Sequence, residues 1–234
     1  MREAATVVGT TNAGGAPSLH HLARLAAATD ALATGTHART SLRGRHVALL
    51  SATPRADGNE RLDPIEAAAA ALGARTARPA MAQPFSDGDL VMLAGLYQLV
   101  CSDASLGDLA SRIRQLGVPV VQGLLEPYHP VSLVALLLAL QRQVPDAAPI
   151  VLDCAEPAAG TTLAAEAAAM LGVQLRTTAT TAANPWRVTP APGGYAAWRL
   201  LPPAGSARDG AGWTLELERM RALALQAALL QAVA

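Results

Sequence analysis

The stretch from Gly117 to Gln143, GVPVVQGLLEPYHPVSLVALLLALQRQ, constrains the fold more than any other. Its short apolar run Val118 to Val121 predicts a buried strand. A loop carrying Glu126 and His129 follows. Pro130 stands where a first-turn proline is welcome, since its missing N–H would have no helical partner there. From Val131 to Arg142 apolar residues are almost continuous, which predicts a helix buried on most sides. Its apolar run is too short to span a bilayer. One imidazole is thus presented at a helix start, just past the carboxyl end of a strand, the edge where ligands bind in open α/β sheets.

The rest of the chain repeats this rhythm. Ser18 is a good N-cap, and Leu19, Leu22, Leu25, Thr29 and Leu32 follow at helical spacing, with Gly35 as the stop. Residues Met1 to Ala16 read as a loosely docked arm, and Arg39 to Arg45 as a basic linker. His46 to Leu50 predicts a strand, Pro64 to Leu72 a helix closed by Gly73, Arg75 to Pro79 a weak strand and Asp87 to Gly95 a helix. Tyr97 to Cys101 and Leu106 to Leu116 add a further strand and helix. Short strands alternating with helices imply a parallel sheet covered on both faces. A boundary is expected within Val144 to Pro149. Beyond it come strand Ile150 to Asp153, helix Thr161 to Leu171 and strand Val173 to Thr178. Residues Pro185 to Gly212, rich in Pro and Gly with Trp186, Tyr195 and Trp198 interspersed, predict either a hairpin or an irregular cover. Thr214 to Ala232 is a final helix.

Composition excludes several functions. The net charge of zero gives no reason to expect a nucleic-acid or anionic-membrane partner. All basic residues are arginine, so no mechanism can use a lysine of this chain. Aromatics make up only 3%, with Phe85 the single phenylalanine, so the core must rest on Ala, Leu and Val. Cys101 and Cys154 lack CxxC spacing and are expected as reduced residues at the ends of buried strands. No metal-ligand spacing and no Ser/His/Asp arrangement is visible, and no cofactor is expected. With no long apolar leader in MREAATVVGTTNAGG, a cytoplasmic location is expected.

The string Val118-Pro-Val-Val-Gln-Gly-Leu124, then His129-Pro130 and a leucine-rich helix, resembles the aspartate and ornithine carbamoyltransferase family. That family has a His-Pro-x-Gln motif whose histidine contacts the carbonyl oxygen of carbamoyl phosphate. Here the glutamine position is Ser132, and the acidic residue further along the helix is Leu136. Glu218, Arg219 and Met220 resemble the Asn-Arg-Leu start of the family's last helix. The resemblance covers roughly Leu19 to Asn184 plus that helix. It implies an α/β fold with two parallel-sheet domains. Residues 1–143 would be the carbamoyl-phosphate-binding-like domain, with helix 213–234 returning to it. Residues 144–212 would be a shortened amino-acid-binding-like domain. It also implies a trimer.

A site for carbamoyl phosphate needs helix-terminal N–H groups and arginines on the phosphate, and a donor on the carbonyl oxygen. The family's Ser-Thr-Arg-Thr-Arg loop falls here on Gly58, Asn59, Glu60, Arg61 and Leu62, so both arginine positions are changed. Asp57 and Asp63 add negative charge. A further family arginine is replaced by Ser102-Asp103. A carboxylate about 4 Å from a phosphate charge costs about 4 kcal/mol at an effective dielectric of 20. The lysine that the aspartate-specific branch borrows from a neighbouring subunit has no counterpart, and neither do the Ser-Met-Gly or His-Cys-Leu-Pro motifs. Glu66 matches a family glutamate and is expected to serve packing and solvation. Glu126 is expected to pair with an arginine.

The resemblance therefore implies a carbamoyltransferase-like protein without carbamoyl transfer, acting as a structural or regulatory subunit or a small-anion binder. The candidate substrate-binding residues are Arg55, Asn59, Arg61, Ser102, His129 and Ser132, with His129 the catalytic candidate. The expected partners are its own copies in a homotrimer, or an active carbamoyltransferase in a mixed trimer. The long apolar helix is one reason to expect assembly, since a small Ala-rich domain can hardly cover it alone. The alternative is a divergent transferase using Arg55, Arg61 and His129 on carbamoyl phosphate or another small anion. A third reading is a nucleotide-binding module on the Asp153 to Gly160 loop, which lacks GxGxxG and carries two acids.

Overall fold

A computed structural model describes residues 18–35, 42–51, 58–79, 85–144, 150–153, 159–176, 185–190, 198–203 and 210–234. The arm before Ser18, Arg55, Asp57, Cys154, Tyr195 and the expected boundary 145–149 lie outside these residues. Internal contacts divide the chain into two units. One lies within His37–Leu124 and Leu225–Ala234; the other is Pro17–Thr36 with Leu125–Ala224. The contact grouping changes over between Leu124 and Leu125.

In the first unit, strands β1 (His46–Leu50), β2 (Arg75–Ala77), β3 (Leu99–Ser102) and β4 (Val120–Val121) form a sheet of order β2-β1-β3-β4. Every pairing is parallel, with Val47 opposite Thr76 and Leu99, and Val100 opposite Val120. Helices α2 (Gly58–Arg61), α3 (Asp63–Ala71), α4 (Asp87–Leu96) and α5 (Asp108–Gln115) connect them. Successive side chains of a strand point to opposite faces. Ala48 and Leu50 accordingly join Val100, Val120, Leu90, Leu93, Ala110 and Ile113 in one core cluster. Val47 and Leu49 alternate with them and are equally buried. Helix α4 starts in a capping box, in which the Ser86 hydroxyl accepts the Asp89 N–H and the Asp89 carboxylate accepts the Ser86 N–H. Pro64 stands in the first turn of α3, and Gly73 ends that helix at φ +80°. The four-residue α2 is too short to give a periodicity signal in the sequence.

In the second unit, β5 (Ile150–Leu152), β6 (Leu175–Arg176), β7 (Trp186–Pro190) and β8 (Trp198–Leu201) form a sheet of order β6-β5-β7-β8. It is parallel except for the antiparallel pair β7–β8. The described strands of the Pro- and Gly-rich region thus pair as in the hairpin of the two alternatives. Its alternation is period two: Trp186, Val188, Trp198 and Leu200 are buried, and Arg187 and Arg199 are exposed. Helices α1 (Leu19–Ala33), α6 (Pro130–Gln143) and α7 (Ala159–Met170) pack on one another. Ser18 caps α1 by accepting the His21 N–H, as its position predicted.

Every residue of α6 from Pro130 to Leu140 is buried. At about 2 kcal/mol per buried leucine, this helix is a main source of the unit's stability. Its apolar surface is consumed within a single chain, so it leaves none for a neighbouring subunit, contrary to the argument from its composition. The Arg142 guanidinium ties the helix end to Asp30 of α1 at 2.8 Å and to Glu216 at 3.7 Å. Glu216 belongs to α8 (Gly210–Val233), whose residues through Ala224 group with the second unit and whose last turns group with the first.

Candidate functional site

In the order β2-β1-β3-β4 the chain winds one way from β1 and then returns to the other side. The direction reverses between β1 and β3, and beyond the carboxyl ends of those strands lies the crevice where open α/β sheets take ligands. Two described pieces of chain converge there: α2, and the residues that end β3, Ser102 and Asp103.

They meet in an ion pair. Arg61 Nε lies 3.4 Å from a carboxylate oxygen of Asp103. The Asp103 side chain is fully buried, and that of Arg61 is 43% exposed. A buried carboxylate needs such a partner, because its isolated transfer out of water costs several kcal/mol. The Ser102 hydroxyl is also buried and donates to the Ala104 carbonyl at 2.7 Å. Leu124 N–H donates to the Ser102 carbonyl at 3.2 Å. Of the motif residues, Glu60 is exposed, whereas Leu62 is 1% exposed and belongs to the core. Asn59 lies in α2. Glu66 accepts from Thr76 Oγ1 at 2.8 Å and pairs with Arg78, which also reaches Asp63 at 2.5 Å. It therefore anchors α3 to the end of β2, a more specific role than general packing.

His129 lies in the second unit, as does Ser132. The imidazole is the N-cap of α6: its Nδ1 accepts the Val131 N–H at 3.2 Å. The His129 N–H donates to the Glu126 carbonyl at 3.1 Å. Since Nδ1 accepts, the neutral ring carries its proton on Nε2 and offers a donor there. Burial, followed by the nearby His21, pushes the imidazole down to about 3. His21 is lowered as well, by burial first and then by Arg24 and His20. Both rings are thus neutral at neutral pH. The Ser132 hydroxyl is buried, with no hydrogen-bond partner among the described residues.

The candidate residues divide accordingly: Asn59, Arg61 and Ser102 belong to the first unit, His129 and Ser132 to the second, and Arg55 lies outside the described residues. In the second sheet the winding reverses between β5 and β7, where an exposed Asp153 stands 3.5 Å from Arg187 Nη1. Most of the Asp153 to Gly160 loop lies outside the described residues.

Three solved structures are similar to this fold. The chain is similar to the ornithine carbamoyltransferase of Gloeobacter violaceus, at TM-score 0.60 and 14% identity, over 92% of this chain and 95% of that one. It is similar to the mitochondrial ornithine carbamoyltransferase of Coccidioides immitis, at TM-score 0.59 and 13% identity, over 91% and 93%. It is also similar to the aspartate transcarbamoylase of Trypanosoma cruzi, at TM-score 0.58 and 12% identity, over 93% of each. The chain has the carbamoyltransferase fold. No family model and no curated protein matches its sequence. Among the described residues, no helix is long and apolar enough to cross a membrane.

Two residues of this fold escaped sequence reasoning. The partner of Arg61 is Asp103, which the sequence offered only as part of the Ser102-Asp103 replacement of a family arginine. On the last helix, Arg219 is 54% exposed and paired with Glu216 at 3.4 Å. The buried arginine is Arg221, whose Nε and Nη2 have no partner among the described residues. Spacing from Leu217 and Ala224, both buried, could have placed Arg221 on the inner face.

Proposed function

We propose that this protein has the carbamoyltransferase fold without carbamoyl transfer, and serves as a structural or regulatory subunit or as a binder of a small anion. The observation that carries this reading is the Arg61–Asp103 pair at the switch point. An anion-binding crevice needs uncompensated positive charge. Here the described arginine of the α2 segment is engaged by a buried carboxylate of the same chain, which also repels an incoming phosphate. At about 4 Å and an effective dielectric of 20, that repulsion is about 4 kcal/mol, or nearly a thousandfold in affinity. The purified protein, given carbamoyl phosphate with aspartate or with ornithine, is expected to form neither carbamoyl-aspartate nor citrulline above background. Formation of either, abolished by His129→Ala, would overturn the reading.

A divergent transferase remains the second reading because of one feature of His129. A neutral imidazole with its proton on Nε2 is the form that can donate to a carbonyl oxygen. Arg55, Arg61 and His129 would be its working residues.

The assembly that accompanies the first reading is a homotrimer or a mixed trimer with an active carbamoyltransferase. The support for an interface moves from α6 to α4, where Val91, Met92 and Leu96 are 61%, 53% and 54% exposed. Leu90 and Leu93 of the same short helix face the core, so α4 is apolar on both sides. The buried free thiol of Cys101 suits a reducing, cytoplasmic compartment.

A further inference from the structure

The first sheet has a second end. At the amino ends of its strands an open hollow of about 480 Å³ is lined by Arg43, Gly44, Arg45, His46, Leu96 and Gln98. We propose that this hollow binds a ligand carrying two or more adjacent phosphoryl groups, held by Arg43, Arg45 and His46.

The scaffold is a fixed turn. Arg45 N–H donates to the Leu42 carbonyl at 3.0 Å, and Gly44 has φ +79°. That sign at the third turn position is the one a type II turn reserves for glycine. Leu42 is fully buried, and its N–H donates to the Leu72 carbonyl at 3.0 Å. The backbone is thereby pinned, while Arg43 and Arg45, on either side of the glycine, are exposed. His46 begins β1 directly after, its N–H bound to Gln98 Oε1 at 2.7 Å and its carbonyl to the Gln98 N–H at 3.0 Å. Arg75 is the register partner of His46 on β2 and is likewise exposed.

The chemistry favours a polyanion. None of Arg43, Arg45 and Arg75 makes an ion pair among the described residues, although the chain has as many acids as bases. Among the described residues, no carboxylate lines the hollow. Neighbouring uncompensated cations repel, and a bound polyanion removes that cost. Each guanidinium fork matches two oxygens of a phosphoryl group. One orthophosphate satisfies one fork, whereas adjacent phosphoryl groups engage the whole row, with the imidazole of His46 as a further donor. The openness of the hollow suits a ligand that keeps part of its hydration. The seat is at the amino ends of the strands and the Arg61–Asp103 pair beyond their carboxyl ends, with β1 itself about 13 Å long at about 3.3 Å per residue. It therefore stands whether or not carbamoyl transfer has been lost.

Calorimetric titration of the full chain with inorganic tripolyphosphate, adenosine triphosphate and orthophosphate tests this. Tripolyphosphate is expected to bind, more tightly than orthophosphate and less tightly as salt is raised. Arg43→Gln with Arg45→Gln, its fold checked by circular dichroism, should weaken binding about tenfold or more, the loss expected when charge-assisted bonds to two forks are removed. Arg75→Gln, on a different strand, should give a smaller loss and provides an independent variant. Tighter binding of the nucleotide than of tripolyphosphate would identify a nucleotide ligand; equal binding would identify the phosphoryl chain alone. Absence of tripolyphosphate binding, equal affinity for orthophosphate, or binding unchanged in the double variant would each overturn the proposal.

Discussion

His129 and Val131 are joined by a 3.2 Å hydrogen bond from the Val131 backbone N–H to Nδ1 of the imidazole. This one contact gives the histidine a structural duty and fixes its chemistry. It satisfies an N–H that the start of α6 would otherwise leave unpaired. It also places the ring proton on Nε2. Pro130 between the two residues has no N–H to pair, so the cap serves the first helical donor available.

Removing the cap should destabilise the protein in a way that a substitute cap repairs. His129→Ala is expected to lower stability by about 1 kcal/mol, and His129→Asn, with an acceptor that reaches the same N–H, to lose much less. Urea unfolding midpoints of the two variants make the comparison.

Acid should weaken the fold through the same ring. Free histidine titrates near 6.5, and in the folded chain burial holds His129 down to about 3, with His21 lowered in the same direction. The unfolded chain therefore takes up protons that the folded chain declines. This contribution is fully present above about pH 6.5 and is lost progressively as the pH falls toward 3. The urea midpoint at pH 5 is expected to lie below that at pH 7, and His129→Asn to flatten the difference.

Charge at the switch point can be reversed in steps. Glu60→Arg with Asp103→Asn frees Arg61 and adds a second guanidinium beside it, and should raise affinity for inorganic phosphate about tenfold or more. Calorimetry with orthophosphate reads this directly. Restoring the other family arginine has a different outcome. Leu62 is 1% exposed, so Leu62→Arg places a cation in the core and should cost about 3 kcal/mol or more in thermal or urea unfolding.

The exposed face of α4 should control assembly. Val91→Glu with Met92→Glu alters two side chains that are 61% and 53% exposed, so the chain should still fold. Light scattering at micromolar concentration is expected to show the parent protein larger than a single chain and the double variant reduced to one chain.

Much of the architecture was legible because the signals are local. A serine at a helix start, a proline in the first turn and a glycine at the stop act within a few residues, and they located α1, α3 and α6. The apolar run His46 to Leu50 located β1. Less was legible where the signal was short or interrupted. Val120–Val121 is a two-residue strand whose pairing with β3 defines it, and the hairpin β7–β8 is broken in sequence by Pro and Gly, so only pairing could separate it from an irregular cover.

By itself the sequence determined the alternation of strands and helices, the burial of α6, the placement of His129 at a helix start and the absence of lysine chemistry. The tertiary structure decided which charges meet. In the sequence Asp103 marks only a missing family arginine; buried beside Arg61, it is that residue's internal counter-ion. Leu62 stands at a family arginine position and is a core side chain; Arg219, which matches the arginine of the family's last helix, is exposed, while Arg221 is buried. The physical reason is the range of the interactions. Capping and periodicity depend on neighbours along the chain, whereas burial and ion pairing depend on segments that only the closed sheet brings together.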